Sequence, residues 1–364
     1  MTQTAIPFLL MRGGTARGPY FRREHLPEDR DTLARVLIAA LGSGHPLTID
    51  GIGGGNAVTT KVAMLSASKD AWADVDYCFA QVLVEEQRVD FKPTCGNILA
   101  GAGPAAIDMG LVKPTGDVTD IGIRAVNTGA KAIATVQTPG GRLTYEGNTA
   151  IAGVPGTAAP IQLTFMDVAG STTGALLPTG HRRDTLDGIE LTCIDVAVPM
   201  VIARATDFGL TGHECPAELN ADKRLFARME AIRIQAGKRM GLGDVSKSVT
   251  PKFGLLARAN QGGTIAARYF MPWNAHPAMA VTGAQCIACC ALTPGSVADG
   301  LLTRPVHSPA EVVLEHPAGK IAVLVDFSTE DGFTLNAAGL LRTTRKLADG
   351  HVYVPASVWP GRSC

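Results

Sequence analysis

Lys92-Pro-Thr-Cys95-Gly-Asn97-Ile-Leu-Ala-Gly-Ala-Gly-Pro-Ala-Ala-Ile-Asp-Met-Gly110 sets a cysteine in a tight Gly/Asn turn that opens an apolar run. Residues 97–111 carry one charge, Asp108, among Ala, Gly, Ile, Leu and Met. A helix without a polar face has to be enclosed by other structure. Its first-turn N–H groups lack helical partners, so they offer a place for an anion at Cys95 and favour the thiolate. A buried, inert cysteine is the competing reading for a lone Cys, and the Cys95-Gly96-Asn97 turn weighs against it.

A second run of this kind lies downstream. His276-Pro-Ala-Met-Ala-Val-Thr-Gly-Ala284 turns into residues 284–292, apolar on all sides. Thr282-Gly283-Ala284 announces this helix as Cys95-Gly96-Asn97 announces the first. The repeat is one of architecture, with one enclosed helix in each half. Two such helix N-termini facing one another would make a shared anion pocket between domains.

Outward from these runs the chain reads as short strands punctuated by glycine. Ile6–Met11 is a strand ending in Arg12-Gly-Gly-Thr15, a turn rich in free N–H groups. Asp31–Leu41 is a helix with Asp31 as its cap and Gly42 closing it. Ile49-Asp-Gly-Ile-Gly-Gly-Gly-Asn56 is a loop; Lys61–Leu65 and Val75–Glu85 are strands leading to the Cys95 turn. Strands follow within Ile121–Val136 and at Arg142–Tyr145 and Ile161–Phe165, and Leu177–Arg183 crosses between halves. Ile189–Asp195, Met200–Ala205, Phe253–Arg258 and Thr264–Phe270 continue the second half, with Pro216–Met240 as its longest amphipathic helix. Val312–Glu315 and Ile321–Phe327 form a hairpin-rich end, and Gly339–Thr343 returns towards the first half. The expected division is 1–183 and 184–364.

At 364 residues, 46% hydrophobic and 18% charged, the chain has ample core for two domains. Lys+Arg and Asp+Glu both number 33, so nothing favours nucleic acid or an anionic membrane as partner. No segment reaches the length of a membrane span. The N-terminal Met1–Arg12 lacks the basic start of a signal peptide. Eight Cys without framework spacing point to a reducing, cytoplasmic setting. Cys286, Cys289 and Cys290 form a C-x-x-C within an apolar helix and read as core thiols rather than a zinc or redox site. Gly51-x-Gly53-Gly-Gly55 and Gly101-x-Gly103 do not sit in a dinucleotide-binding context. No metal or organic cofactor is expected.

At this point specific motifs add up. Met11-Arg-Gly-Gly-Thr-Ala-Arg-Gly18, Ile49–Asn56, Thr60-Lys-Val-Ala63, Cys95-Gly-Asn-Ile98 and Gly243-Asp-Val-Ser246 resemble the PrpF family of isomerases over nearly the whole chain. The resemblance implies an α+β, diaminopimelate-epimerase-like fold: two similar domains, each a curled, mostly antiparallel sheet around a central apolar helix. Leu177-Pro-Thr-Gly180, Cys193-Ile-Asp195 and Met240–Asp244 carry a nearer similarity to the 4-oxalomesaconate tautomerases. It further implies cofactor-free proton transfer, a 1,3-allylic or keto–enol shift in a small unsaturated polycarboxylate, with Lys61 and Cys95 on the catalytic positions. A lysine in an apolar or cationic site can lose its proton near neutral pH. The family commonly has Ser then Lys after Arg-Gly-Gly-Thr; this chain has Ala16 and Arg17.

The carboxylates need cations and donors. The candidates are Arg12, Arg17 and Arg268, the N–H groups of Gly13, Gly14 and Thr15, of Gly96 and Asn97, and of Thr282, Gly283 and Ala284, together with His276 as a substrate contact or a structural turn. A 4-oxalomesaconate-type keto acid comes first as substrate, then aconitate, 2-methylaconitate or methylitaconate. A catalytically idle binder of such acids and a racemase stand as alternatives, though no second cysteine occupies Val281-Thr-Gly-Ala284. The expected partner is a small anionic acid, with room for a homodimer.

Overall fold

The computed structural model describes residues 2–330 and 332–361. The chain divides into two units, Met1–Leu163 with Leu341–Cys364, and Thr164–Leu340. Cys364, the eighth cysteine, lies outside the described residues.

Unit 1 holds β1 (Gln3–Gly13), β2 (Ala16–Arg22), α1 (Arg30–Leu41), β3 (Lys61–Ala67), β4 (Val75–Val82), β5 (Val89–Asp90), α2 (Gly96–Leu99), α3 (Ala102–Asp108), β6 (Val118–Ala125), β7 (Lys131–Gln137) and the start of β8 (Pro160–Met166). Strands β1-β2-β3-β4-β6-β7-β8 are neighbours in that order, with parallel joints at β2/β3 and β4/β6. The two faces carry different helices. Val62, Met64, Ala80 and Val82 pack on α1 with Leu33, Val36 and Leu37. The alternate residues of β3 and β4 turn the other way, towards α2 and α3.

The apolar run after Cys95 is two short helices, not one. Gly101 stands at the break, where a Cβ would come 2.3 Å from the Tyr20 hydroxyl, so only glycine fits against this buried tyrosine. Asp29 rather than Asp31 caps α1, accepting from the Thr32 N–H at 2.8 Å, and Gly42 ends it at φ 72. Arg142–Tyr145 is irregular rather than a strand.

Unit 2 continues with β9 (Asp184–Leu186), β10 (Ile189–Asp195), β11 (Pro199–Arg204), α4 (Pro216–Ala221), α5 (Lys223–Arg239), β12 (Lys252–Ala257), β13 (Ile265–Phe270), α6 (Val281–Leu292), β14 (Ala310–His316), β15 (Gly319–Ser328) and β16 (Thr334–Pro355). Its order is β9-β10-β11-β12-β13-β14-β15-β16, with parallel joints at β11/β12 and β13/β14. Residues 334–340 of β16 pair with β15, and residues 344–355 pair with β1 in unit 1.

The long helix expected over 216–240 is divided at Asp222, whose carboxylate accepts from the Arg224 and Leu225 N–H groups and so caps α5. Every residue from Gly283 to Leu292 is buried, as an apolar helix demands. The division between units falls at residue 163, not 183. Phe165, Val168, Leu176 and Leu177 pack on the α6 core, and the buried Asp195 carboxylate accepts from the Thr172 and Thr173 N–H groups at 2.8 and 2.7 Å. Residues 164–183 are thereby tied to unit 2. Among the described residues no helix is long and apolar enough to cross a membrane.

Candidate active site

The β1–β2 hairpin builds the site in unit 1. Met11 pairs with Gly18 and Gly13 with Ala16, so Gly14 and Thr15 form the tip. The Cys95 turn sits against it: a Cβ on Gly13 would meet the Asn97 carbonyl oxygen at 2.3 Å, and one on Gly14 the Asn97 Oδ1 at 2.2 Å. Only glycines allow this approach. Asn97 Nδ2 then donates to Thr15 Oγ1 at 3.0 Å. Gly13, Gly14, Thr15, Gly96 and Asn97 are therefore one assembly.

Cys95 is the N-cap of α2, half-buried, and its side chain caps nothing. Its carbonyl accepts from Leu99 N–H at 2.8 Å and from the Tyr77 hydroxyl at 3.3 Å. Tyr20 donates to the next turn, at the Ile98 carbonyl, 2.5 Å away. Burial first, then the neighbouring Cys95, raise both phenols well above their ordinary value, so these tyrosines stay neutral donors that hold the turn in place.

Lys61 opens β3 on the face that α2 and α3 share. Its Nζ donates to Gln81 Oε1 at 2.6 Å and lies 5.4 Å from the centre of the Phe79 ring. Gln81 in turn donates to the Ala57 and Val82 carbonyls at 3.1 and 3.2 Å. The amine thus has a neutral partner, and among the described residues no carboxylate forms an ion pair with it. A Cβ on Gly18 would stand 1.7 Å from the Lys61 carbonyl oxygen, which places β3 close beside the hairpin.

The arginines behave differently from one another. Arg12 curls over the hairpin tip and its Nη1 donates to the Gly14 and Thr343 carbonyls at 2.8 and 2.9 Å. Burial and the cross-strand neighbour Arg345 hold its pKa below the ordinary guanidinium value. Arg17 has the strand parity of Phe21, which packs on α1, and its Nη2 lies against Gly54 in the glycine loop. The structure does not bring it to the Cys95 turn. Arg342 on β16 is a further cation of unit 1: burial lowers its pKa to about 10, and its Nη1 donates to the Leu341 carbonyl. Nothing but its depth distinguishes it, and depth leaves no local motif. The Gly14 N–H is spent on the Thr343 carbonyl at 2.9 Å and leaves the set of free donors.

The unit 2 candidates also separate. Gly283 lies on the Tyr269 ring, where a Cβ would come 2.7 Å from Cε2, and His276 meets the same ring edge-on at 5.7 Å. His276 Nδ1 accepts from the Ala278 N–H at 2.9 Å, and burial first, then Lys252, keep the imidazole below its usual pKa. The first turn of α6, with Thr282, has no side-chain cap. The Ala284 N–H, however, bonds to the Ala280 carbonyl at 2.8 Å, so it is not available to a ligand. Arg268 belongs elsewhere. Ala267 and Tyr269 pack on α6, Ala266 and Phe270 on α5, so Arg268 leaves the sheet on the α5 face. It is 6% exposed and donates to the Glu214 and Ala267 carbonyls at 2.7 and 3.0 Å. It braces the approach to α4 rather than the first turn of α6.

Cys286, Cys289 and Cys290 are buried, and burial first raises all three thiols, Cys290 to about 12. They are core residues. Among the described residues no group of three His, Cys, Asp or Glu could hold a metal ion.

Comparison with known proteins then gives four reference points. Residues 3–355 match the family described as PrpF protein. The chain is 51% identical over 354 residues to YbhH of Escherichia coli (strain K12), provisionally named an isomerase, covering 96% of this chain and 99% of that one. It is 47% identical over 361 residues to 4-oxalomesaconate tautomerase of Pseudomonas putida, covering 99% of each. Among solved structures it is similar to methylitaconate-delta-isomerase, with a TM-score of 0.90 at 32% identity over 98% of this chain and 97% of that one.

Proposed function

This chain belongs to the PrpF family, with its diaminopimelate-epimerase-like α+β fold, and from that premise we propose that it is a cofactor-independent isomerase of a small unsaturated polycarboxylate of the 4-oxalomesaconate type. The observation that carries this reading is the assembly of unit 1. Lys61, bonded to a neutral amide, and the Cys95 turn, pressed onto a two-glycine hairpin, meet the same hairpin from two sides. A carbon acid needs a base and an acid on fixed supports, and both are fixed here by backbone.

In this mechanism Lys61 takes a proton from the carbon next to the double bond. The electron pair delocalises over the allylic system into the adjoining carbonyl or carboxylate. The Cys95 thiol gives a proton to the far carbon, and the double bond has moved by one position. The thiolate recovers its proton from the ammonium, directly or relayed by water, so the protein ends as it began. Arg12 and the N–H groups of Gly96 and Asn97 hold the substrate's carboxylates meanwhile.

The relatives support the tautomerase-type substrate, at 47% identity for one 4-oxalomesaconate tautomerase and 45% for a (4E)-oxalomesaconate Delta-isomerase. An aconitate- or methylitaconate-type acid is the second reading, favoured by likeness to 3-methylitaconate isomerase at 34% and 2-methyl-aconitate isomerase at 33%. Proton NMR in heavy water with a panel of these acids decides. Deuterium uptake with double-bond migration in 4-oxalomesaconate supports the proposal. Exchange at a stereocentre alone, or binding without exchange, replaces it with a racemase or an idle binder. The same reading makes the enzyme cytoplasmic, and a homodimer is checked by light scattering.

A further inference from the structure

Lys61 and Gln81 stand directly opposite one another on β3 and β4, so their side chains leave the sheet on the same side. On its other flank Gln81 pairs with Asp90 of β5. The amide therefore occupies a cross-strand row between the amine and a carboxylate. Asp90 is two strands from Lys61, roughly 10 Å at ordinary strand spacing, and its Oδ1 accepts from the Lys92 N–H at 2.9 Å. Tyr77 and Phe79 continue the same face of β4. The Phe79 ring covers a second side of the amine, with its centre 5.4 Å from Nζ.

The orientation of the Gln81 amide is decided by its surroundings. Its Nε2 lies 3.1 Å from the Ala57 carbonyl, 3.2 Å from that of Val82, 3.4 Å from that of Thr60 and 3.3 Å from Thr60 Oγ1. The buried Thr60 hydroxyl gives its own proton to the Val82 carbonyl at 2.7 Å, so towards the amide it can only accept. Turning the amide over would set a carbonyl oxygen among four acceptors and an NH2 against the lysine. Oε1 therefore faces Lys61 and accepts from Nζ at 2.6 Å. Phe79 is anchored as firmly: Asn127 accepts from its N–H and donates to its carbonyl, both at 2.8 Å.

We propose that Gln81 is the positioning residue of Lys61: it aims the amine by accepting one of its N–H groups, and does so without a charge. Nζ ends a flexible four-carbon stem, and proton transfer needs the base held within hydrogen-bond reach of its target. Oε1 has no proton to give, so the lone pair of a basic amine turns away from it and into the open side of the site. A glutamate at this place would hold the amine as well but would favour the ammonium, as an opposite charge in contact does. The amide supplies the hold of an ion pair without its charge. This rests on Lys61 acting as the base in the isomerase reading above, and gives a task to a residue that does not itself touch the substrate.

The test follows turnover of 4-oxalomesaconate by the full chain from pH 6 to 9, with melting temperatures alongside. Gln81→Met keeps the length and removes the acceptor; kcat is expected to fall about 10- to 100-fold with KM within a few-fold. Gln81→Glu restores an acceptor but adds a charge. Its kcat is expected to be low at pH 7 and to recover as pH rises, the acid limb of the profile moving up by about one pH unit or more. Should Gln81→Met not fold, Gln81→Asn, which keeps the amide and shortens its reach, is read in its place with the same expectation. Native kcat in the folded Met or Asn variant overturns the proposal. A rise in KM alone does so too, because Gln81 would then be a substrate contact. Loss of kcat by one factor at every pH in Gln81→Glu also overturns it, since a purely structural role predicts that. An inactive Lys61→Met beside native Gln81 variants removes only this positioning. Native deuterium exchange in Lys61→Met refutes the base itself, and a native chain that turns over no acid of the panel refutes the isomerase reading.

Discussion

The carbonyl oxygen of Lys61 occupies the space of a side chain on Gly18: a Cβ there would lie 1.7 Å from it. The proposed base is thus positioned by the absence of an atom on the neighbouring strand. Gly18→Ala is expected to push β3 away from β2, lowering stability by about 1–3 kcal/mol as overpacking does. Turnover should fall by more than the unfolded fraction explains. Melting curves and kcat on the same preparation check this, and native values for both would show that Lys61 does not depend on Gly18.

Proton removal and return can be told apart by isotope. Lys61→Met is expected to lower turnover by about 10²–10⁴-fold, the range of a lost general base, with the fold and tight substrate binding intact. Cys95→Ser should be impaired but keep some exchange, because a hydroxyl still donates a hydrogen bond. The readout is deuterium in recovered substrate and product. If Lys61→Met exchanges at the native rate and Cys95→Ser does not, the two roles are reversed.

Arg233 ties α5 to the segment before Lys252. Its guanidinium, 1% exposed, meets Glu230 twice at 2.7 Å and the Val245, Ser248 and Thr250 carbonyls at 2.9, 3.1 and 3.2 Å. Arg233→Met strands those acceptors and is expected to cost about 3–5 kcal/mol, as removing one partner of a buried pair does. Denaturant unfolding measures it. A loss under about 1 kcal/mol would mean that water replaces the guanidinium.

Acid should weaken the fold in part through Asp76. Arg124 donates to both of its oxygens, Nε to Oδ1 at 2.9 Å and Nη2 to Oδ2 at 2.8 Å. These bonds, with Ser68, hold the carboxyl below its usual pKa. A depressed folded value means that the contribution is complete above the unfolded value of about 4 and is lost as pH falls through the folded one. Melting temperature against pH from 6 to 2 is therefore expected to fall more steeply for the native chain than for Asp76→Asn. Parallel curves would show that this pair contributes nothing measurable.

Much of the unit 1 site is legible in the sequence because its determinants are local. Cys95-Gly96-Asn97 before an apolar run marks a turn feeding an enclosed helix, and two glycines after Arg12 mark a hairpin tip. That Asn97 closes on Gly13 and Gly14 is not local: 82 residues separate Thr15 from the amide that reaches it. The single helix expected over 97–111 is interrupted at residues 100–101, and the hydroxyl packed on Gly101 there belongs to Tyr20 on a distant strand.

The two apolar runs by themselves pointed to enclosed helices, one in each half of the sequence, and the α+β fold followed from the resemblance of the motifs to a family. Which side a buried strand presents to which helix was decided only by tertiary structure. Every residue of β13 is buried, so the alternation that normally separates inside from outside is missing when both faces carry helices. Arg268 therefore read as a clamp beside α6 and lies on the α5 face instead.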